Sequence, residues 1–363
     1  TFDCPKLEKR IRKELGYSQD KFENATGIRL SIRNTGELFL QIDEKLAQVR
    51  EMLRLETLRP DEIASYKEQE GVLKVELAFC LLKLCYRKAE RKSEDPATGK
   101  MHLMRSHVLR AGLFAATMGP VAGWDKYDNA VGDLVHDLEE DVRDNRDKEV
   151  FFAVPTRADG GRILTVDVKD AALRYKTLAR LFAYRVSKNT RAMTRAPEKK
   201  YKAENWEPDY QRYLSRLQSL PHAQRCKARD LINNGMELDT IVDKGEKKGV
   251  IKRTVMKICW SVPFERKVSR LTTEMMLAIV ERYAEDPGLA ASLRSITEKD
   301  VQMFEAGAVL VGKRSFSRKL LESCPDQGVP VIMLYHSGKG AFLLEIPHLD
   351  SEKARDVSRA KNI

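Results

Sequence analysis

Val135-His136-Asp137-Leu138-Glu139-Glu140-Asp141 is the stretch on which the reading of the fold turns. Taken as a helix, it puts His136 and Glu140 on one face, and Asp137 and Asp141 on a neighbouring one, because residues four apart stack. Val131, Leu134 and Val135 just ahead of it supply an apolar side for burial. A His beside an Asp offers one imidazole nitrogen and one carboxylate oxygen, a mixed donor pair suited to a divalent transition metal. Glu140 and Asp141, a turn further on, can then handle a water at that metal. Upstream stands His107, and downstream Asp230, with Asn234 four residues beyond it. His107, His136, Asp137 and Asp230 make a candidate ligand set drawn from three helices. The plainer alternative is a solvated acidic helix face and a histidine satisfied in the core.

Composition bounds the rest. The chain has 363 residues, 42% hydrophobic and 33% charged, which is enough for a sizeable core under a heavily charged surface. Its net charge of +11 and pI of about 9.2 suit a polyanionic partner, such as a nucleotide polyphosphate, a nucleic acid or an acidic membrane surface. The six cysteines, Cys4, Cys80, Cys85, Cys226, Cys259 and Cys324, form no CxxC pair. A thiolate zinc site is therefore not expected, and the usage fits a reducing compartment. No apolar run reaches membrane-spanning length and no signal-peptide pattern opens the chain, so a cytoplasmic location without membrane contact is expected. A first residue other than Met suggests a trimmed or processed chain.

Along the chain, residues 1–57 carry helical periodicity, with Leu38, Phe39, Ile42, Leu46, Val49 and Leu53 on one stripe. A second long helix starts at Pro60, becomes strongly apolar, and is expected to end in the basic run Arg87–Ser93, where polyphosphate charge could be neutralised. Met101–Met118 reads as one helix carrying His107, and Asp128 or Asn129 as the cap of the next. A short strand is expected at 162–166, a helix at 171–188, and an excursion at 189–209. Helical turns follow at 209–217, then a helix opened by Pro221 that carries Asp230 and Asn234, a charged run over Asp243–Arg253, and after it a long helical stretch to about Tyr283. Beyond Pro287 the pattern changes: β-like runs at Ala308–Val311, Val329–Tyr335 and Gly340–Ile346 and a basic helix at Ser315–Ser323 read as a small α+β unit. The expected fold class is mainly α, a helical bundle. Three segments are expected: an N-terminal helical extension over 1–74, a metal-dependent phosphohydrolase domain over 75–290, and the α+β unit over 291–363.

The order H…HDxxED…DxxxN, with Arg91-Lys92-Ser93 ahead of the first His, resembles the hydrolase domain of the RelA/SpoT homologues, bacterial alarmone enzymes of the HD phosphohydrolase superfamily, and their small stand-alone relatives. Val186-Ser187-Lys188 is similar to the family's Val-Thr-Lys, and Tyr210–Lys227 to the segment leading into its Lys-x-x-Asp helix. The resemblance covers roughly 75–285. It implies an HD-type helical bundle and a manganese ion held by His107, His136, Asp137 and Asp230. It also implies Glu140 and Asp141 as the catalytic pair, and Arg91, Lys92, Ser93, Asn234 and Lys188 on the substrate. The implied reaction is removal of the 3′-pyrophosphate of (p)ppGpp-like nucleotides. The tail carries no alarmone synthetase motif, so a hydrolase alone is implied. Two other functions stay open. One is an HD phosphohydrolase for another nucleotide, such as a dNTP, NADPH or a cyclic or oligonucleotide. The other is a non-catalytic regulator whose basic surface holds a nucleic acid or a protein.

Overall fold

The computed structural model describes residues 3–86, 89–94, 101–145, 149–195, 213–214, 217, 220–241, 244–265, 269–285, 288–295, 331–335 and 341–345. These residues are mainly α-helical, and the chain divides into two compact units: 1–195 with 240–242, and 196–239 with 243–363. No helix among the described residues is long and apolar enough to cross a membrane.

The first unit opens with α1 (Cys4–Glu14), α2 (Gln19–Thr26) and α3 (Thr35–Met52), capped by the side chains of Asp3, Ser18 and Asn34. The α3 stripe of Leu38, Phe39, Ile42, Leu46 and Val49 is buried as its spacing predicts. It packs on α4 (Pro60–Tyr86), whose middle is buried on every side from Gly71 to Leu82. A helix apolar all round can only sit inside a core. Gly71 is the point where the Tyr127 ring lies against α4; a Cβ there would come within 2.1 Å of it.

After α4 the structure departs from the sequence reading. α4 is bounded at Tyr86, and the described part of the basic run is not helical: Glu90–Glu94 is a strand, β1, paired antiparallel with β2 (Met101–Leu103). The expected helix over 101–118 is accordingly shorter, α5 (Met104–Met118). Next comes α6 (Lys126–Leu134), capped by Asp125 rather than by Asp128 or Asn129. Asp128 is buried instead, held by Lys74 at 3.1 Å and by Arg185 at 2.6 Å.

Residues 135–141 are not one helix. α6 ends at Leu134 and α7 (Leu138–Asp144) begins afresh, with His136 and Asp137 in the break between them. The cause is local. In a continuing helix the Asp133 carbonyl would accept from the Asp137 amide; here the His136 ring takes that place, with Nδ1 2.7 Å from the carbonyl oxygen.

A hairpin of β3 (Ala153–Arg157) and β4 (Ile163–Asp167) follows, with one more strand than expected, and it packs on α3 and α4. The helix expected over 171–188 is two, α8 (Ala171–Leu181) and α9 (Tyr184–Met193), so Lys188 lies in mid-helix. Arg50 from α3 covers the end of α8, donating to the carbonyls of Arg180, Leu181 and Phe182. The expected boundary between 74 and 75 falls inside the continuous α4.

In the second unit, α10 (Pro221–Met236) starts with proline at its first position, as its sequence predicts. It packs on α11 (Lys244–Glu265), which takes in much of the charged run, and α12 (Arg270–Tyr283), the two dividing the helical stretch expected to about Tyr283, and α13 (Leu289–Arg294) joins α12. Tyr213, Leu214 and Leu217 are helical, in agreement with the expected turns. In the tail, β5 (Val331–Tyr335) and β6 (Ala341–Glu345) pair as an antiparallel hairpin. The runs at 308–311 and 315–323 lie outside the described residues. Cys4, Cys80, Cys85, Cys226 and Cys259 are all buried.

Candidate metal centre

His107 and His136 reach the same place by different routes. His107 stands on the second turn of α5 and is 2% exposed; His136, fully buried, stands in the α6–α7 break. The two helices approach closely because α5 carries Gly112 where α6 presents Leu134; a Cβ on Gly112 would come within 2.5 Å of Leu134 Cδ2. The imidazole centroids are 6.0 Å apart. One ligand atom from each of His107, His136 and Asp137 lies within 4.8 Å of the others.

Proton bookkeeping defines the chemistry of this group. The Asp133 carbonyl can only accept, so His136 Nδ1 carries a hydrogen and donates it. In the neutral ring Nε2 then presents a lone pair, and it sits 3.1 Å from Asp137 Oδ2. His107 Nε2 is 3.5 Å from the same oxygen. A lone pair facing a carboxylate at that distance is repulsive unless a proton or a metal cation lies between them. The backbone carbonyl behind a histidine ring is also the usual outer-shell support of a metal-ligating imidazole. Asp137 precedes α7 but does not cap it, so its carboxylate is not spent on the helix amides. Two imidazoles and a carboxylate therefore fit a divalent ion.

The three acids of α7 have three different fates. Glu139 is buried in a double hydrogen bond with Arg174, both at 2.5 Å, and Arg174 also donates to the carbonyls of Val168 and Lys169. The Glu139 hydrogen bonds raise the Arg174 pKa, against a smaller opposing effect of burial. That pair ties α7 to the start of α8. Glu140, assigned by its sequence to the catalytic pair, is bound by Arg195: the Arg195 amide donates to Oε2 at 3.1 Å, and the guanidinium meets both oxygens. Asp141 accepts from the Tyr86 hydroxyl at 2.9 Å and from Asn145 Nδ2 at 3.2 Å. Tyr86 is fully buried; burial first, then the charges of Asp141 and Asp137, push its pKa well above the usual phenol value and keep it a donor.

Tyr86, Arg174 and Arg195 escaped the sequence reading. Tyr86 ends an apolar run and reads as packing; the arginines carry no spacing that ties them to α7.

The other expected residues are distributed as follows. Lys188 is exposed on α9. Arg91, Lys92 and Ser93 lie on β1, with side chains outside the described residues. Asp230 and Asn234 belong to the second unit, where both stand on α10. There the Asp230 carboxylate accepts from Asn234 Nδ2 at 2.7 Å and from Lys227 Nζ at 2.5 Å. The i, i+3 and i, i+4 spacings of α10 put all three on one side of the helix.

No family model, no curated protein and no solved structure matches the chain.

Proposed function

We propose that the chain is a metal-dependent phosphohydrolase of the HD type, removing the 3′-pyrophosphate of (p)ppGpp-like nucleotides. The observation that carries this reading is the convergence of His107, His136 and Asp137, with the His136 ring fixed by the Asp133 carbonyl so that Nε2 faces Asp137 Oδ2 at 3.1 Å. Manganese, or another divalent ion, would be held by these three and by Asp230, the fourth ligand that the sequence resemblance implies. When bound, the ion supplies Lewis acidity and positive charge for water activation and phosphoryl transfer. Asp141, steadied by Tyr86 and Asn145, orients the attacking water and accepts its proton. Glu140 takes part only when Arg195 exchanges its carboxylate for another anion, and a phosphate is the anion a guanidinium binds best. Lys188, Arg91, Lys92, Ser93 and Asn234 are the proposed substrate contacts.

The test is incubation of the full chain with Mn²⁺ and ppGpp, pppGpp or pppApp, with product analysis and Asp137→Ala as control. Pyrophosphate release that vanishes in the variant is expected. The double variant Glu140→Gln/Asp141→Asn should keep the metal and lose turnover. Bound metal without turnover of any 3′-pyrophosphate would shift the reading to another nucleotide. Failure to bind metal would overturn it in favour of a binding protein.

A further inference from the structure

We propose that Tyr86 is a positioning residue of this centre, holding the Asp141 carboxylate in the orientation that directs a water toward His107, His136 and Asp137. The inference rests on the hydrolase reading and adds a residue to it. Tyr86 is the last residue of α4 and lies 55 positions before Asp141 in sequence, yet its hydroxyl donates to Asp141 Oδ2 at 2.9 Å. Full burial leaves this phenol no water to bond, so the carboxylate is its lasting partner. The opposite carboxylate oxygen, Oδ1, accepts from Asn145 at 3.2 Å, and the Asp141 amide donates to the Asp137 carbonyl at 2.8 Å. One donor on each oxygen fixes the plane of the carboxylate, and the backbone bond fixes its distance along the chain from Asp137. A carboxylate oxygen has two lone pairs, so an oxygen that accepts from a side chain can also orient a water.

The neighbouring acid makes the assignment sharper. Glu140 has its two oxygens taken by one residue, Arg195, through both side chain and amide. A carboxylate gripped on both oxygens by one guanidinium is committed to that partner, whereas the Asp141 carboxylate is held by a neutral phenol and an amide, which orient it without an ion pair. Tyr86 also feels the Asp137 charge, so α4 ends where the candidate ligand and the candidate base are both within electrostatic reach. A tyrosine that only filled space would be replaced by phenylalanine without consequence.

The experiment is Tyr86→Phe in the full chain, beside wild type and Asp141→Asn, with two readouts. The first is the kinetics of pyrophosphate release with Mn²⁺. We expect kcat to fall roughly ten- to hundredfold, the range seen when outer-shell supports are removed, with KM and metal affinity within about threefold. The second is the electron paramagnetic resonance spectrum of bound Mn²⁺, which needs no turnover. Tyr86→Phe should reproduce the altered line shape of Asp141→Asn. Wild-type kcat, or a wild-type spectrum, in Tyr86→Phe overturns the proposal. A wild-type protein that binds Mn²⁺ but cleaves no 3′-pyrophosphate overturns the substrate reading, while the spectra still decide the role of Tyr86. Absence of a bound-Mn²⁺ signal in wild type overturns both.

Discussion

The Arg12–Glu76 pair and the His107–His136–Asp137 group both gather ionisable side chains in the first unit, but on opposite terms. In the first, cation meets anion: Arg12 donates to both Glu76 oxygens at 2.6 and 2.8 Å, Tyr17 adds a hydroxyl at 2.9 Å, and the guanidinium lies 5.2 Å from the centre of the Phe79 ring. Burial disfavours the Arg12 charge, but Glu76 outweighs it and the Arg12 pKa rises. In the second, two ring nitrogens converge on one carboxylate oxygen. A fold that neutralises its buried charge with its own side chains is finished there. One that gathers acceptors around a point is prepared for a cation from outside.

The contrast can be broken by a pair of substitutions with opposite effects on stability. Arg12→Ala strands Glu76 and should cost about 3–5 kcal/mol in urea unfolding, with Mn²⁺ affinity unchanged. Asp137→Ala should abolish Mn²⁺ binding, yet leave the metal-free protein as stable as wild type or up to about 1 kcal/mol more so, because a repulsive contact has gone. Equal destabilisation of the metal-free protein by both variants would make the His–Asp group structural. Saturating metal should raise the stability of the wild type and of Arg12→Ala alike, and leave Asp137→Ala unchanged.

A third ionisable group, buried in the second unit, sharpens the comparison because its surroundings match its charge incompletely. Glu265 is 1% exposed, and its pKa is pushed up to about 8 by burial, which the charges of Arg225 and Arg229 only partly offset. The folded chain holds this proton to about pH 8, whereas an unfolded chain releases it near the ordinary value of 4.5. The neutral form is the one the fold favours. Its contribution is complete below the unfolded value and is lost as pH rises through the folded one. Glu265→Gln carries no such dependence. Its thermal stability relative to wild type should therefore grow with pH across that window, by at most about 1.4 kcal/mol per pH unit, and level off above it. A pH-independent difference would mean that Glu265 is charged and paired throughout.

Much of this organisation is legible before any coordinates. The apolar spacing of α3, the proline at the start of α10 and the runs of β5 and β6 follow from local preference alone. So does the candidate site in outline, because His136 and Asp137 are adjacent in sequence and cannot be far apart in space. What stays hidden is whatever depends on partners distant along the chain. The break after Leu134 is invisible to periodicity, since it comes from a ring nitrogen displacing a backbone amide. The basic run that holds Arg91 and Lys92 has the composition of a helix end, but pairing of Glu90–Glu94 with Met101–Leu103 makes that part a strand. Glu139, Glu140 and Asp141 look equivalent as a string; Arg174, Arg195 and Tyr86 make them different, and each arrives from another element.

Gly112 gives the smallest effect and probes how the acceptors are brought together at all. Alanine is the better helix former by roughly 0.5–1 kcal/mol, so on propensity alone Gly112→Ala would stabilise α5. Its Cβ, however, would meet Leu134 at 2.5 Å from Cδ2 and 2.7 Å from Cγ, and Leu134 is fully buried and has no open space to turn into. Overpacking of this kind costs about 1–3 kcal/mol. The two terms nearly cancel, leaving a net loss on the order of 1 kcal/mol. Metal affinity has no such compensation: pushing α5 from α6 moves His107 away from His136 and Asp137, so Mn²⁺ should bind several-fold more weakly. Calorimetric titration of Gly112→Ala beside Gly112→Ala/Leu134→Ala measures this directly. Removing the Leu134 branch should restore affinity while lowering stability further. An affinity that follows stability in both variants would mean that the helix spacing has no bearing on the centre.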